Sequence, residues 1–258
     1  MLAVAAVMVA NGQPEGDPVS LLLVSAPSTG KTEIARSVVG LRGVVEAATI
    51  TEASLLSGTA KRDVTKEATG GLLRQVGMVG TIFCKDFTSV LSMNRDAARQ
   101  ALAALREVTD GSWHRAVGTD GGRVLTWSGK CAVLGCVTPS VDRHHSLIGT
   151  LGDRFLLQRG RPREREQIAQ AALRGVGAER TMRTELANSM RELVESADLT
   201  RLTRELSEEE TNWLTELALL ASQAGTACER DGYSHEVLVL PELEGPGRLV
   251  RQLRLLFG

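Results

Sequence analysis

Aromatic residues are scarce in this chain of 258 residues: phenylalanine, tryptophan and tyrosine make up only 3% of it, although 43% of the residues are hydrophobic. The core must therefore be built mainly from aliphatic side chains, as is typical of parallel sheets covered by helices. The net charge is only −1. No global positive field predicts nucleic-acid binding, so any contact with DNA or RNA has to be local.

Cysteine is also rare, and no two cysteines form a Cys-x-x-Cys pair or have a histidine at zinc-ligand spacing. The four are Cys84, Cys131, Cys136 and Cys228. We expect them to be small buried residues of a cytoplasmic protein, where thiols stay reduced. The apolar stretch 1–10 lacks a basic flank and is too short to cross a membrane, so a helix is expected there.

The most informative stretch follows the apolar run 19–24 and precedes a helical pattern that begins at Glu33. It consists of Ser25, Ala26, Pro27, Ser28, Thr29, Gly30, Lys31 and Thr32. A strand, a tight loop and a helix with Gly-Lys-Thr at its start are the context of a phosphate-binding loop. We expect Lys31 to contact the β- and γ-phosphates of a nucleotide, Thr32 to ligate Mg²⁺, and Glu33 to lie beside the nucleotide. The usual pattern, G-x-x-x-x-G-K-[ST], begins with glycine; Ser25 fits if that position does not need a positive φ.

The alternation of apolar runs and helical spacing predicts an α/β fold, a parallel sheet with helices on both faces. Predicted strands cover 19–24, 44–50, 79–84, 131–137 and 154–158, with a loop over 51–62. Alternating residues around 119–122 predict a β-hairpin over 113–127. Charged amphipathic helices are predicted over 164–178, 181–196, 207–231 and 247–256. We therefore expect an α/β nucleotide-binding domain over 1–160 and a smaller, all-helical lid domain over 161–258.

Asp86 follows the predicted strand 79–84, where nucleoside triphosphatases place the acid that holds Mg²⁺ through water; a capping role for the next turn is the alternative. The next residue is Phe87, where many such enzymes have a glutamate that polarises the attacking water. Hydrolysis is then expected to be slow, or to use another acid. Glu52 and Asp142 are the two candidates.

Three more polar residues are candidates for the nucleotide site. Thr138 ends the strand 131–137 and could contact the γ-phosphate, or simply form a turn before Pro139. Arg154, in Gly-Asp-Arg-Phe, could act as an arginine finger on a neighbouring subunit, or form a structural salt bridge. Arg248 begins the last helix and could reach the phosphates, or be an ordinary surface arginine.

The order of these elements resembles that of an AAA+ ATPase, and the hairpin over 113–127 is similar to the pre-sensor-1 hairpin of the branch that includes minichromosome-maintenance helicases and magnesium chelatases. The resemblance implies that 25–32 is Walker A and Asp86 the first Walker B acid. It implies that Thr138 is sensor 1, Arg154 the arginine finger and Arg248 sensor 2. It also implies ATP and Mg²⁺ as cofactors, a homo-oligomeric ring or spiral, and a hairpin that touches a threaded substrate.

The leading hypothesis is therefore an ATP-driven motor or remodelling ATPase that acts on DNA or on a protein–DNA assembly. The second hypothesis is a nucleotide-gated scaffold with weak or no hydrolysis, because the glutamate after Asp86 is missing. A monomeric small-molecule kinase would share the phosphate loop but would explain neither the hairpin nor the helical C-terminal third.

Overall fold

The computed structural model describes residues 1–58, 69–149, 151–152, 154–160, 164–225, 229–230, 234, 236–239, 243 and 245–257. Its strands are β1 (Ser20–Val24), β2 (Val44–Ala47), β3 (Val79–Cys84), β4 (Ser112–Val117), β5 (Arg123–Ser128), β6 (Lys130–Val137), β7 (Phe155–Arg159), β8 (Glu229–Arg230) and β9 (Val237–Val239). Five of them form a parallel sheet in the order β2-β3-β6-β1-β7.

The register of this sheet brings the carboxyl-terminal ends of its strands to one edge. Val24 of β1 lies opposite Val137 of β6 on one side and Arg159 of β7 on the other. Cys84 of β3 lies opposite Gly135, two residues before the end of β6. The segments that follow β1, β3, β6 and β7 therefore leave the sheet together.

Helices cover both faces of the sheet. They are α1 (Leu2–Gly12), α2 (Lys31–Arg36), α3 (Glu52–Leu55), α4 (Leu72–Val76), α5 (Phe87–Leu91), α6 (Arg95–Thr109), α7 (His145–Gly149), α8 (Arg165–Arg174), α9 (Glu179–Glu195), α10 (Glu208–Gly225) and α11 (Gly247–Phe257). Helices α3 to α6 and the two hairpin tryptophans share one apolar cluster, whereas α1, α2 and α9 share the other. The predicted α/β fold, a parallel sheet flanked by helices, is confirmed.

Helix α6 shows why these boundaries arise. Asn94 accepts a hydrogen bond from the backbone N–H of Ala97 at 2.9 Å and so caps the first turn. The helix buries its residues at helical spacing, among them Ala98, Leu102 and Leu105, against the sheet.

The predicted hairpin is confirmed. Strands β4 and β5 pair antiparallel, with Trp113 opposite Trp127. Both indole rings are buried in the cluster beneath α4 and α6, and Trp127 Nε1 donates to the Gly77 carbonyl at 2.8 Å. The two rings thus attach the base of the hairpin to the α/β core.

Three secondary-structure expectations are wrong. The predicted loop over 51–62 contains the short helix α3. Thr51 precedes this helix, and the side chains of Thr51 and Ser54 each accept a hydrogen bond from the other residue's backbone N–H. Residues 59–62 lie outside the described part. The segment after α10 is not all helical, because β8 and β9 form a short antiparallel pair. The predicted helix over 207–231 ends at Gly225.

The helices after residue 160 do not pack only against one another. Met190 of α9 is fully buried in the cluster that α1 and β1 form, and Leu255 and Leu256 of α11 pack against the same cluster. In contrast, α8 buries none of its residues. The boundary between 160 and 161 stays a prediction, since 161–163 lie outside the described residues.

Cys84, Cys131 and Cys136 are buried, as expected, and burial raises the pKa of the Cys131 thiol to about 12. Cys228 lies outside the described part of the chain. None of the helices in the described ranges is long and apolar enough to cross a membrane.

Candidate functional site

The phosphate-loop pattern and two of the predicted polar residues lie at the carboxyl-terminal edge of the sheet. Ser25 follows β1, Thr138 follows β6, and Asp86 lies two residues beyond the end of β3. Because β6 separates β1 from β3, Thr138 leaves the sheet between the loop and Asp86. Ligands of open parallel sheets bind at this edge.

The backbone of the loop takes its two left-handed conformations at Ser28 and at Gly30. Their φ values are 61° and 84°. Ser28 is the only residue other than glycine with a positive φ in the described ranges, so Ser25 does not need the freedom of glycine. The condition under which serine fits the first position of the pattern is therefore met. A left-handed serine costs energy and is found most often where a loop has a functional shape.

Hydroxyl groups close the loop on itself. The hydroxyls of Ser25 and Thr29 share a short hydrogen bond, and Thr29 Oγ1 also donates to the Ala26 carbonyl at 2.8 Å. Lys31 Nζ lies over the loop and donates to the same carbonyl at 3.3 Å. A lysine held by one long hydrogen bond can move to an anion with little loss.

Backbone N–H groups at the start of α2 are available to bind an anion. Within the described ranges, the N–H groups of Gly30, Lys31 and Thr32 donate to no protein acceptor, since the first bond of this turn runs from Ile34 N to Gly30 O at 3.1 Å. Helix α2 has only six residues, so its dipole adds little. The unpaired N–H groups and the Lys31 ammonium together form the anion-binding surface of the loop.

Thr32 and Asp86 both lie near the Cys136 thiol. Burial raises the pKa of this thiol to about 11, a hydrogen bond with Thr32 and the charge of Lys31 oppose the rise, and the Asp86 carboxylate adds to it. The Asp86 side chain is exposed and makes no capping bond at the start of α5. The capping alternative for Asp86 is thus not what the structure shows.

A hydroxyl and one carboxylate suit Mg²⁺, which is usually held by one or two protein oxygens together with the phosphates of a nucleotide. No cluster of three or more acidic, histidine or cysteine side chains within the described ranges could hold a metal ion by itself. Thr32 and Asp86 therefore fit Mg²⁺ only as a partner of bound phosphate.

Phe87 points into the core instead of towards the site. Its side chain is fully buried, and its ring centroid lies 5.7 Å from that of Phe155. Gly135 of β6 makes room for it, because a Cβ there would come within 3.0 Å of the Phe87 Cβ. The position after Asp86 is a packing position in this protein, so the usual glutamate could not be placed there without burying its charge.

Both acids that could replace this glutamate are paired with arginines. Glu52 Oε1 lies 3.4 Å from Arg115 Nε. Asp142 forms two hydrogen bonds with Arg159, at 2.6 and 3.2 Å. Arg159 is the last residue of β7 and lies at the same edge as the loop. Arg159 was not named as a candidate from the sequence, although its place directly after the predicted strand 154–158 was a usable signal.

Thr138 is held in place from both sides. Its backbone N–H donates to Thr88 Oγ1 at 3.2 Å, and its hydroxyl shares a hydrogen bond of 2.6 Å with the Ser140 hydroxyl. Thr88 belongs to α5, which begins directly after Asp86. This network fixes the distance between the end of β6 and the start of α5.

The structure does not bring Arg154 and Arg248 to the phosphate loop. Arg154 precedes β7 and so lies at the amino-terminal edge of the sheet, where its Nε and Nη2 donate to Asp110 at 3.1 and 2.7 Å. Arg248 Nη1 donates to the same carboxylate at 2.8 Å. For Arg154 the salt-bridge alternative is thus what the structure shows. A role as a finger stays a prediction, and it would require the pair with Asp110 to open; Asp153 of the same motif lies outside the described residues.

A different arginine links the C-terminal helices to the loop. Arg183 of α9 donates to both carboxylate oxygens of Glu33, at 2.7 and 3.0 Å. The hydrogen bond from Arg183 holds the pKa of Glu33 below its usual value. Glu33, expected beside the nucleotide, is therefore engaged by α9. No local sequence signal could have found this pair, because the two residues are 150 positions apart.

The arms of the hairpin contact the protein itself. Arg115 Nη1 donates to the Leu56 carbonyl at 2.6 Å, in addition to its contact with Glu52. Thr119, at the tip, donates to the Gly58 carbonyl at 2.9 Å. A contact between this hairpin and a threaded substrate stays a prediction, and a contact through Arg115 would have to compete with these bonds.

Comparisons with known proteins give no family. No protein-family profile and no curated protein match the chain. Among solved structures, the C-terminal region of NrS-1 in its apo A form aligns with 85% of this chain at 11% identity and a TM-score of 0.30, a likeness too weak to carry an argument. The chain spans about half of that structure's length, 49%.

Proposed function

We propose that the chain is an ATP-binding protein of the P-loop type, with the AAA+ ATPases as the family that it resembles. One observation carries the proposal: the Gly-Lys-Thr loop follows the strand β1 of a parallel sheet, and Asp86 and Thr138 leave neighbouring strands at the same edge. Lys31 and the unpaired N–H groups at the start of α2 bind the phosphates. Thr32 and Asp86 hold the Mg²⁺ that accompanies them.

Thr138 would lie beside the terminal phosphate. Its hydroxyl already bonds to Ser140 and its backbone to Thr88, so nucleotide binding at the loop would reach α5 through this network. Arg248 has no part in this proposal, because its side chain pairs with Asp110 at the other edge of the sheet.

Turnover of ATP tests whether the Gly-Lys-Thr loop is a site of ATP hydrolysis. Phosphate release is measured for the wild type, for Lys31→Ala and for Lys85→Ala, an exposed lysine beside Asp86. We expect turnover to fall to background in Lys31→Ala and to persist in Lys85→Ala. Equal turnover in the wild type and Lys31→Ala would rule out catalysis at this loop.

A second function, a nucleotide-gated scaffold that binds ATP and barely hydrolyses it, is favoured by the buried Phe87. The two substitute acids, Glu52 and Asp142, are both paired with arginines. If turnover is above background and Asp142→Asn abolishes it while Glu52→Gln does not, Asp142 activates the water and the scaffold is excluded. ATP binding without turnover would favour the scaffold.

A ring or spiral of subunits and a contact with DNA follow from the family resemblance alone, and both remain proposals. Mass measurement in solution with and without ATP and DNA tests them together. An ATP-dependent increase from one chain to a closed oligomer would support the motor. A single chain under all conditions would contradict it.

A further inference from the structure

A cavity of about 540 Å³ lies at the amino-terminal edge of the sheet, opposite the phosphate loop. Its walls are the connection before β1, the starts of β3 and β6, the end of α6 and one side of α11. Both arginines that the sequence suggested for ATP chemistry line it. A volume of this size is that of a small-molecule site.

The cavity carries an excess of positive charge. Its lining includes three cations, Arg154, Arg248 and Lys130, but only two acids, Asp110 and Asp17. Asp17 is paired with Arg251, 2.7 Å away, so Asp110 alone faces two arginines. Burial opposes ionisation of Asp110, but hydrogen bonds from Arg154 and Arg248 keep its pKa below the usual value.

Arg154 and Arg248 differ in how many of their N–H groups donate to an acceptor in the protein. Arg154 donates from Nε and Nη2 to Asp110 and from Nη1 to the Leu151 carbonyl. Within the described ranges, Arg248 makes a single hydrogen bond, from Nη1 to Asp110. A guanidinium has five N–H donors in a planar fork that fits a carboxylate or a phosphate. Arg248 thus has donors free for an anion in the cavity.

Gln252 provides a second, independent observation. It lines the same cavity and is only 1% exposed. Its Nε2 donates to the Pro18 and Arg154 carbonyls at 3.2 and 3.5 Å, which fixes the orientation of the amide. Its Oε1 is buried and has no hydrogen-bond partner in the described part of the chain. A buried acceptor without a donor is costly. Because Oε1 is fully enclosed, a donor in the cavity reaches it only after a shift of the amide.

We propose that this cavity binds a small hydroxylated anion, a phosphate or a carboxylate, whose charge pairs with Arg248 and whose hydroxyl donates to Gln252 Oε1. Asp110, which also accepts hydrogen bonds from Arg154, holds Arg248 in place. Arg248 and Gln252 both belong to α11, whereas the other walls belong to the sheet edge, so the ligand would tie this helix to the starts of the strands. The site is separate from the phosphate loop and does not depend on the function proposed for it.

Calorimetric titration of the full chain tests the proposal, with inorganic phosphate, glycerol 3-phosphate and malate as probes and glycerol as the neutral control. All titrations are repeated in Lys31→Ala, which removes anion binding at the loop. We expect saturable binding of at least one anion that persists in Lys31→Ala, and no binding of glycerol. The phosphate and malate arms tell the two anion classes apart.

Variants of α11 locate the binding. Arg248→Gln and Gln252→Met should each weaken the affinity about tenfold or more, because each removes a hydrogen bond to the ligand. Arg254→Gln on the same helix, whose side chain contacts the Arg204 carbonyl, should change it by no more than about twofold, since only a distant, screened charge is lost. If Gln252→Met does not fold, the partly exposed Arg248 still decides the test.

No saturable binding of any anion would overturn the proposal. Binding that disappears in Lys31→Ala would overturn it too, because the anion would then occupy the loop. Binding that survives both Arg248→Gln and Gln252→Met would place the anion elsewhere and would equally overturn it.

Discussion

Arg183 and Glu33 form a bidentate ion pair, with N–O distances of 2.7 and 3.0 Å. Glu33 directly follows Thr32, and Arg183 lies on α9, so the pair joins the C-terminal helices to the end of the phosphate loop. Both side chains are partly exposed. The pair is therefore placed to couple the loop to α9 more than to stabilise the fold.

Arg183→Gln should change nucleotide affinity while changing the free energy of unfolding little, because the pair is exposed and screened by solvent. The measurements are nucleotide titration and urea unfolding. Arg180→Gln, one turn earlier on α9, is the matched control and should change neither. A loss of stability with unchanged nucleotide affinity would show that the pair has a structural role only.

The same pair predicts a pH effect. The hydrogen bond from Arg183 lowers the pKa of Glu33 from its ordinary 4.5, so the folded state favours the ionised carboxylate. The stabilisation is present above that ordinary value and is lost as the pH falls through the lowered pKa of the folded state. In Arg183→Gln, the free energy of unfolding should therefore fall less steeply as the pH is lowered. An unchanged fall would contradict the conclusion that Arg183 lowers the pKa of Glu33.

Phe87→Glu should not restore an efficient ATPase. The side chain is fully buried against Gly135 and Phe155, and a carboxylate there would be unpaired. Phe87→Ala should cost about 3–5 kcal/mol in urea unfolding, and Phe87→Glu should cost more. Phe257→Ala, which removes a partly exposed ring, should cost clearly less. A Phe87→Glu protein of wild-type stability and raised turnover would refute this prediction.

The buried position of Lys130 predicts that the free energy of unfolding rises with pH in the alkaline range. Its Nζ donates to the Ala10, Gln13 and Glu15 carbonyls at 2.8, 2.9 and 2.7 Å. Burial lowers its pKa from 10.5 to about 8. Between these values the unfolded chain holds more protons than the folded one, so the free energy of unfolding increases with pH.

Lys130→Met should remove this increase, whereas Lys85→Met, at an exposed lysine, should keep it. Urea unfolding at several pH values between 8 and 10.5 measures the slope. The same slope in Lys130→Met and in the wild type would contradict the burial of the ammonium group.

Asp86→Asn should leave the fold intact, within about 0.5 kcal/mol, because the side chain is exposed and caps no helix. It should weaken nucleotide binding in the presence of Mg²⁺ and have little effect in its absence. Asp96→Asn, at the exposed first turn of α6, is the control. Equal effects with and without Mg²⁺ would exclude Asp86 from the metal site.

The sheet and the loop could be predicted from the sequence because their signals are local. Fully buried strands such as β6 contain continuous apolar runs, here 131–137, and the loop between β1 and α2 has a specific pattern. The position of Arg154 could also be predicted from the sequence, because a residue that precedes a parallel strand lies at the sheet edge opposite to the residues that follow the other strands. That rule separates Arg154 from Ser25, Asp86 and Thr138.

Other parts of the site depend on long-range packing that no local pattern encodes. The pair between Glu33 and Arg183 requires α9 to lie beside α2. The pair between Arg248 and Asp110 joins residues 138 positions apart and requires α11 to lie across the sheet edge. The inward turn of Phe87 depends on Gly135 of β6, which leaves space for the ring.

Nucleotide binding tests the central claim most directly. Titration of ATP with Mg²⁺ into the wild type, Lys31→Ala and Lys85→Ala measures affinity apart from turnover. We predict saturable binding by the wild type and Lys85→Ala, and a loss of about tenfold or more in Lys31→Ala, since a charge-assisted contact with the phosphates is removed. ATP binding that is equally strong in all three proteins, or absent from the wild type, would contradict the assignment of Ser25–Thr32 as a nucleotide site.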